Sequence, residues 1–290
     1  MLTIENAKAM ASIALQGATV FRYQSMHSDP LLWLSKKAEY ALDKSIRGGV
    51  PICWPWFSER QIAETQISEQ QPNGDENNQS SFPKHGLLRT RQAHLLNIEE
   101  SADKTSLYFG FSTANDAADV DFPDSMAEIV IHIASTLKIE LTTTNLSDQS
   151  CEYSAALHSY LAVSDVSQLT VLGLEDTEYL DKPQNFARFT QKDAPEISDE
   201  FDRVYTPTHR SVRLQDATLD RELLIQKSNS DSTIVWNPGP AIAAELIDFD
   251  ETAYRQMLCV EAGKVHSDSF ELGPGERYTF STTLSSRPLY

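Results

Sequence analysis

The sequence predicts an all-β protein built from antiparallel sheets with few short helices. Apolar and polar residues alternate through most of its patterned segments, as at 128–133 and 137–144, and this period of two is typical of half-buried strands. Turn-forming residues separate these segments at short intervals. Helical patterning is scarce: residues 241–249, after the breaker Pro238-Gly239-Pro240, fit one short helix. Many short strands joined by frequent turns indicate a sandwich or a barrel.

The predicted strands follow one another along most of the chain. Residues 137–144 are rich in β-branched side chains, which favour strands, and the polar turn Ser147-Asp148-Gln149-Ser150 ends that segment. The full set of predicted strands is 105–111, 128–133, 137–144, 151–163, 169–174, 211–214, 223–227, 232–236, 255–263 and 277–284. A further short strand is expected directly after Asp202.

One segment differs in composition from the rest of the chain. Residues 59–81 are rich in Gln, Asn, Glu and Ser and contain almost no aliphatic side chain after Ile67. Such a segment buries too little apolar surface to offset its ordering entropy, so we interpret it as a polar loop insertion. It either covers a site as a lid or is a tolerated insertion. With no internal repeat or linker in the sequence, we expect residues 1–290 to form a single domain.

The charge balance limits the possible partners. Against 42 Asp and Glu stand 24 Lys and Arg, which gives a formal net charge of −18. Because nucleic-acid affinity depends largely on cations that neutralise phosphate, we expect no nucleic-acid partner. A small anionic ligand is compatible with this charge, because salt screens distant charges over about 8 Å and a local group of cations can dominate a cleft.

The sequence also limits the compartment and the cofactors. It has no run of eighteen apolar residues, and its N-terminus lacks the basic and apolar regions of a secretory signal, so we expect neither membrane association nor secretion. The cysteines Cys53, Cys151 and Cys259 are odd in number and widely spaced, which disfavours a disulfide framework and a thiolate metal site. We expect a cytoplasmic monomer that needs no metal or other cofactor.

A histidine and a glutamate are the candidate acid and base. In the predicted strand 151–163, alternation places His158 on the face opposite the apolar one, with Ser154, Ala156 and Tyr160. A histidine in a cleft can exchange a proton near neutral pH, although a solvated surface histidine fits the same pattern. Glu261 lies at the end of a hydrophobic strand, where burial would raise its pKa; alternatively, it emerges into solvent before Gly263.

The segment around Arg47 combines flexible backbone, aromatic rings and a cation. Gly48-Gly49 allow close backbone approach to a ligand, and the Arg47 guanidinium suits a phosphate. Trp54, Trp56 and Phe57 offer flat faces for a sugar, or they belong to the core.

Residues 84–91 concentrate positive charge in an acidic protein. Lys84, His85 and Arg89 lie here, and together with Arg47 they could bind one phosphate, or they could form a solvated basic patch. Asp202 is a candidate for binding sugar hydroxyls, although aspartate is also common in turns.

Taken together, these segments resemble the hexose-6-phosphate mutarotase branch of the aldose 1-epimerase-like superfamily. The matching pieces occur in the family's order and are RGGVPICWPWF (47–57), KHGLLRTR (84–91), ALHSYLAVSD (156–165), LEDTEYLDK (174–182), DRVY (202–205) and MLCVEAG (257–263). Each piece alone is weakly specific, whereas six in order are a strong signal. Flanking strands extend the resemblance to most of the chain.

The resemblance implies a β-supersandwich, the galactose mutarotase-like fold, with the site in a cleft on one sheet. It implies His158 as the acid and Glu261 as the base. The implied substrate-binding residues are Arg47 and Arg89 for the phosphate, Lys84 and His85 along the site wall, and Asp202 for the sugar hydroxyls. Lys84 departs from the family pattern, in which glutamine is common, so its role is less defined.

The implied activity is the interconversion of the α and β anomers of glucose 6-phosphate and related hexose 6-phosphates. Ring opening at the C1–O5 bond and reclosure need only an acid and a base. Two alternatives stay open at this stage. One is an aldose 1-epimerase for unphosphorylated sugars, which the basic segment disfavours. The other is a non-catalytic protein that binds sugar phosphates, for which an acid–base pair would be unnecessary.

Overall fold

The computed structural model describes residues 1–41, 43–60, 82–118 and 120–290. All but the first two residues of the predicted 59–81 insertion lie outside this part of the chain. The first strands of the described residues are β1 (Leu2–Glu5), β2 (Ala9–Ala14), β3 (Thr19–Ser25), β4 (Ile52–Cys53), β5 (His94–Glu100), β6 (Thr105–Ser112), β7 (Ser125–Ile133), β8 (Leu137–Asn145), β9 (Cys151–Tyr153), β10 (Ala155–Leu157) and β11 (Tyr160–Ala162). Those that follow are β12 (Thr170–Leu172), β13 (Glu178–Asp181), β14 (Ala187–Thr190), β15 (Phe201–Tyr205), β16 (Val212–Asp216), β17 (Arg221–Ser228), β18 (Ser232–Asn237), β19 (Met257–Lys264), β20 (Phe270–Leu272) and β21 (Arg277–Pro288).

Two large antiparallel sheets form the body of the protein. The first, here called the site sheet, has the order β14-β13-β15-β18-β19-β10-β4, and β11 also pairs with β19. The second, here called the back sheet, has the order β12-β16-β17-β21-β8-β7-β6-β5. A three-stranded sheet, β1-β2-β3, and the pair β20-β9 complete the described strands.

The main core lies between the site sheet and the back sheet. Leu107, Ile129 and Leu141 of the back sheet belong to the same buried cluster as Leu157 and Val260 of the site sheet. Strand β7 alternates buried and half-buried residues along its whole length, which is the pattern that the sequence predicted for residues 128–133. The site sheet therefore has its other face free for a pocket.

Trp54 connects the two sheets instead of lining a site. Its ring is fully buried, and its Nε1 donates a hydrogen bond of 2.9 Å to Thr143 Oγ1 on β8. Trp56 is also almost fully buried, and its Nε1 donates to the carbonyl oxygen of Pro83. The core interpretation of these two tryptophans is therefore the correct one, and of the three aromatics only Phe57 borders the pocket described below.

The described helices are short. Helix α1 spans Thr113–Asp116 and α2 spans Gly239–Glu245, and 3-10 helices occur at Leu88–Thr90, Val166–Gln168, Lys182–Gln184, Ala253–Gln256 and His266–Asp268. The predicted helix at 241–249 is present only in part. It starts two residues earlier, where Asn237 Oδ1 accepts the backbone N–H of Gly239 at 2.9 Å, and it ends at Glu245, four residues before the predicted end. None of the described helices is long and apolar enough to cross a membrane.

The predicted strand 151–163 is divided into β9, β10 and β11. Strand β9 pairs with β20, whereas β10 pairs with β19 and β4, and the backbone N–H of Ser154 between β9 and β10 donates to Pro55 O. Ser159 N donates to Leu157 O, a tight turn that separates β10 from β11. The prediction of one continuous strand was wrong, because alternation of side chains does not reveal such breaks.

Candidate active site

A cavity of about 390 Å³ lies on the face of the site sheet that points away from the core. Neighbouring residues on β19 show this division, because Val260 belongs to the core between the sheets, whereas Glu261 borders the cavity. The candidate residues from the sequence all line this pocket, and they are Arg47, Lys84, His85, Arg89, His158, Asp202 and Glu261. Segments distant in sequence therefore converge on one pocket.

His158 sits in the break between β10 and β11. Its ring stacks on Tyr160 with a centroid distance of 4.6 Å and an interplanar angle of 6°, and Trp236 meets it edge-on at 6.0 Å. The side chain is 11% exposed, and Nδ1 has no hydrogen-bond partner among the described residues. The aromatic neighbours fix the plane of the imidazole, while its polar edge is available to a ligand.

Glu261 lies within β19, opposite Ile234 of β18. Its residue surface is 1% exposed, and Oε1 lies 3.4 Å from Nδ1 of His158. Oε2 has no hydrogen-bond partner in the described part of the chain. A buried carboxyl oxygen without a partner is uncommon in folded proteins and is a feature of functional sites. The alternative that Glu261 emerges into solvent before Gly263 is therefore wrong.

The pKa values of both groups are shifted toward their uncharged forms. Burial, followed by the positive charges of Arg89 and Arg47, lowers the pKa of His158 to about 3. Burial raises the pKa of Glu261 well above its usual value, and the negative charge of Asp202 acts in the same direction. Both groups can therefore change protonation when a ligand changes the local charge.

Arg47 is held firmly at one side of the pocket. Its Nε lies 3.1 Å from both carboxylate oxygens of Asp248, and its Nη1 donates to Tyr160 Oη at 3.3 Å. The side chain is 20% exposed. Arg47 therefore has a fixed orientation, but part of its charge is already compensated by Asp248.

The basic segment at 84–91 forms another side of the pocket. His85 has a left-handed backbone (φ 64°), and its ring packs against Phe57 at 4.9 Å and His158 at 6.2 Å. Arg89 Nη2 donates to the carbonyl oxygen of Lys84 at 2.8 Å, while its buried Nε has no hydrogen-bond partner among the described residues. The alternative of a solvated patch does not describe this segment, since Lys84, His85 and Arg89 all border the pocket.

Gly86 explains how this segment approaches the pocket floor. Its φ is +77°, and a Cβ atom there would lie 2.2 Å from the carbonyl oxygen of Trp54. A side chain at this position would collide with backbone, so the close packing that positions His85 and Arg89 requires glycine.

Asp202 lies inside β15, so the expected turn position before the strand was wrong. It pairs in register with Trp236 of β18 and is 8% exposed. Its Oδ2 accepts a hydrogen bond of 2.6 Å from Nζ of Lys182. Lys182 lines the pocket and received no role from the sequence, although it ends the LEDTEYLDK piece. The sequence signal that could have identified Lys182 is its position at the end of a piece that carries the family resemblance, directly after the segment that forms β13.

Three aromatic residues at the pocket, Trp236, Phe186 and His266, were also missed by the sequence analysis. Phe186 and His266 border the cavity and lie 5.4 Å apart between ring centroids. Both have left-handed backbone conformations, with φ of 57° and 53°. Nothing in the sequence signals such conformations at residues other than glycine, asparagine or aspartate.

In the part of the chain that the structure describes, no group of three or more His, Cys, Asp or Glu residues is arranged to hold a metal ion. The side chains that border the pocket can themselves supply acid–base chemistry and anion binding. They comprise one imidazole–carboxyl pair, several cations and a half-apolar wall.

Comparison with known proteins gives a consistent result across the whole chain. The family model described as "Aldose 1-epimerase" matches residues 1–285. A protein of Escherichia coli K12 named "Putative glucose-6-phosphate 1-epimerase" is 27% identical over 262 residues, which cover 90% of this chain and 82% of that protein.

Solved structures with the same architecture are also found. A "putative mutarotase" from Salmonella typhimurium has a TM-score of 0.86 at 26% identity, covering 99% of this chain and 90% of that chain. A "galactose mutarotase-like protein" from Clostridium acetobutylicum has a TM-score of 0.72 at 14% identity, covering 99% and 94%. The predicted all-β, galactose mutarotase-like fold is confirmed.

Proposed function

Because the chain belongs to the aldose 1-epimerase family, we propose that it is a hexose-6-phosphate mutarotase. It interconverts the α and β anomers of glucose 6-phosphate and related hexose 6-phosphates, as a single-domain cytoplasmic enzyme. The observation that carries this proposal is the pairing of His158 Nδ1 with Glu261 Oε1 at 3.4 Å in a pocket that four cationic side chains border. The names of the similar proteins support the same substrate class.

The proposed reaction uses the two residues as acid and base. Glu261 removes the proton from the anomeric hydroxyl while His158 delivers a proton to the ring oxygen, and the C1–O5 bond opens. The free aldehyde rotates about C1–C2, and reclosure on its other face gives the opposite anomer. The two proton transfers then run in reverse. Each positioned acid or base typically contributes a factor of about 10²–10⁴ in rate.

The pKa shifts are compatible with these roles if the substrate is anionic. His158 and Glu261 hold one titratable proton between them. It can reside on Glu261 beside a neutral imidazole, or on His158 beside a carboxylate, and the second state is the one that the reaction needs. Arg89 and Arg47 are among the causes that lower the pKa of His158. A bound phosphate would offset their charge and so raise the pKa of His158, which favours the imidazolium that the reaction needs.

Arg89 is the strongest candidate for the phosphate contact. Its Nε lacks a hydrogen-bond partner among the described residues, and no carboxylate forms an ion pair with it there. Arg47, in contrast, shares its Nε with Asp248. We therefore assign the main phosphate contact to Arg89, with Arg47 and the exposed Lys84 as additional positive charges.

The decisive experiment measures anomer exchange at equilibrium by saturation-transfer NMR. We expect catalytic amounts of the protein to accelerate exchange of glucose 6-phosphate, and to accelerate exchange of free glucose at least about tenfold less. His158→Ala should remove the acceleration. If neither glucose 6-phosphate nor free glucose exchanges faster, the mutarotase proposal fails, and calorimetric binding of glucose 6-phosphate would then identify a non-catalytic binder. Equal acceleration of both sugars would instead assign it to unphosphorylated aldoses.

Arg89→Ala tests the phosphate assignment separately. Loss of a charge-assisted contact should raise KM for glucose 6-phosphate about 10- to 100-fold and leave kcat nearly unchanged. Arg277→Ala is the control, because Arg277 is 62% exposed in an ion pair with Glu128 on the back sheet. Steady-state kinetics of both variants provide the comparison, and an unchanged KM in Arg89→Ala would contradict the assignment.

A further inference from the structure

Lys182 is a cation of the pocket that the proposed reaction does not use. It follows β13 directly and begins the 3-10 helix Lys182–Gln184. Its Nζ donates to Asp202 Oδ2 at 2.6 Å. The Asp202 side chain is 10% exposed and that of Lys182 is 39% exposed, so the carboxylate lies deep and the ammonium lies toward the opening.

The backbone that carries Lys182 is firmly anchored. The preceding residue, Asp181, is buried, pairs in register with Arg203 of β15, and accepts a hydrogen bond of 3.0 Å from Arg203 Nε. After the 3-10 helix, Asn185 and Phe186 both adopt left-handed conformations that return the chain to β14. Lys182 is thus fixed from both sides, which is what a precise ligand contact requires.

We propose that Lys182 is a further sugar-binding residue, which binds one ring hydroxyl while Asp202, already implied by the family resemblance as a hydroxyl ligand, binds the adjacent one. This inference rests on the proposed function and extends it to the sugar moiety. Neighbouring ring hydroxyls are each donor and acceptor and lie about one hydrogen-bond length apart, ~2.8–3 Å. The ammonium donates to one hydroxyl oxygen, and the carboxylate accepts from the other hydroxyl.

The surroundings of the pair favour a sugar hydroxyl over the phosphate. Asp202 offsets the charge of Lys182, so the pair attracts a phosphate less strongly than Arg89, which forms no ion pair with a carboxylate of the described residues. Arg89 and Lys84, the cations assigned to the phosphate, come from a different segment of the wall. Beside Lys182, the rings of Phe186 and His266 present an aromatic surface, against which the C–H face of a sugar can pack.

The pair also acts on the proposed base. Asp202 and Lys182 both influence the pKa of Glu261, the first raising it and the second lowering it. Removal of the Lys182 charge should therefore raise the pKa of Glu261 further. The rate profile of a Lys182 variant would shift toward higher pH, an effect that loss of an ordinary surface ion pair would not produce.

The test compares Lys182→Met with Lys138→Met. Lys138 is a close match, with a side chain 38% exposed and its Nζ 2.8 Å from Glu140 Oε2 on the back sheet. The substrates are glucose 6-phosphate, its 2-, 3- and 4-deoxy analogues, and free glucose. Both kcat/KM and calorimetric binding are measured, so the result does not depend on turnover alone.

We expect Lys182→Met to lose about 10- to 100-fold in kcat/KM and in affinity for glucose 6-phosphate, and Lys138→Met to stay within about twofold. The loss should shrink to a few-fold on the one deoxy analogue that lacks the hydroxyl bound by Lys182. An equal loss of calorimetric affinity for every substrate, including all three deoxy analogues, would make Lys182 structural. A loss confined to phosphorylated substrates would make it a phosphate contact. An unchanged affinity would also overturn the inference, whereas a wild-type protein without exchange activity would overturn only the mutarotase proposal.

Discussion

Two buried carboxyl groups, Glu261 within strand β19 and Asp268 in the 3-10 helix that follows it, are hydrogen-bonded to very different degrees. Asp268 is 8% exposed; its Oδ2 accepts from the backbone N–H groups of Asp231 and Ser232, each at 2.9 Å, and its Oδ1 accepts from Lys264. Glu261, three residues before Lys264 and still less exposed, has one oxygen without a hydrogen-bond partner among the described residues.

The difference separates a group that stabilises the fold from one that is available for chemistry. A buried charge with every oxygen occupied repays its desolvation and has no capacity left for a ligand. A buried carboxyl that is left incomplete costs stability, and its pKa rises as a result. Asp268 is a group of the first kind and holds Lys264 at the end of β19. Glu261 is a group of the second kind and faces the pocket.

The largest effect predicted from this contrast concerns Glu261→Gln. We expect kcat/KM for glucose 6-phosphate to fall about 10²- to 10⁴-fold, because an amide cannot accept the proton. The free energy of unfolding should be equal to or higher than that of the wild type above pH 5. The pKa of Glu261 is higher in the folded chain than in the unfolded chain. The wild-type protein therefore loses stability as the pH rises above the pKa that Glu261 has in the unfolded chain. NMR exchange rates and urea unfolding at several pH values measure both effects.

Glu222→Gln is the matched control for that variant. Glu222 on β17 is also buried, but Oε1 accepts from Arg287 Nε at 3.0 Å and Oε2 accepts from Gln215 at 3.2 Å. This variant should keep full activity and lose about 1 kcal/mol of stability. A similar loss of activity in both variants would show that the missing hydrogen-bond partner of Glu261 does not distinguish a catalytic carboxyl group from a structural one.

Asp268→Asn should have the opposite signature to Glu261→Gln. An asparagine cannot accept from two backbone N–H groups and from Lys264 at once, so the buried ammonium loses its partner. We expect the free energy of unfolding to fall by about 3 kcal/mol, with kcat/KM of the folded protein reduced less than about tenfold. Urea unfolding with parallel kinetics provides the test. Unchanged stability would mean that Asp268 does not anchor the strand end.

The fold was largely predictable where one face of a strand packs on the core. Strands β6, β7, β8 and β21 contain the predicted segments. Buried and half-buried residues alternate along β7 and most of β8, whereas β6 is buried at almost every position. Strand β5 was missed because it is exposed along its whole length at the edge of the back sheet. Strand β14, at the edge of the site sheet, is likewise almost fully exposed and gives no periodic signal.

The candidate site was predictable from the residue types and from the family resemblance, but its pairings were not. The proximity of His158 and Glu261 depends on the pairing of β10 and β11 with β19, which no local pattern encodes. The contact between Lys182 and Asp202 depends in the same way on the pairing of β13 with β15. The roles proposed for these residues stay predictions until the variants are measured.

The smallest predicted effect distinguishes two lysines that flank Asp268. Lys227 donates to Ser232 O and Thr208 Oγ1, neither of which is charged, and burial lowers its pKa to about 7. Lys264 is paired with Asp268; although burial opposes its charge, the carboxylate outweighs it and raises the pKa of Lys264. The pKa of Lys227 is therefore lowered and that of Lys264 is raised, although burial disfavours the charge of both side chains.

Lys227→Met should raise the free energy of unfolding at pH 6.5 by about 1–2 kcal/mol, whereas Lys264→Met should lower it. The unfolded chain binds the proton of Lys227 up to about pH 10.5, and the folded chain releases it above about 7, so wild-type stability rises with pH between these values. The advantage of Lys227→Met should accordingly vanish toward pH 10. Urea unfolding between pH 6 and 10 measures this convergence. Parallel curves for the wild type and Lys227→Met would show that Lys227 stays charged in the fold, and a lysine without a carboxylate contact would then be no more costly than the paired Lys264.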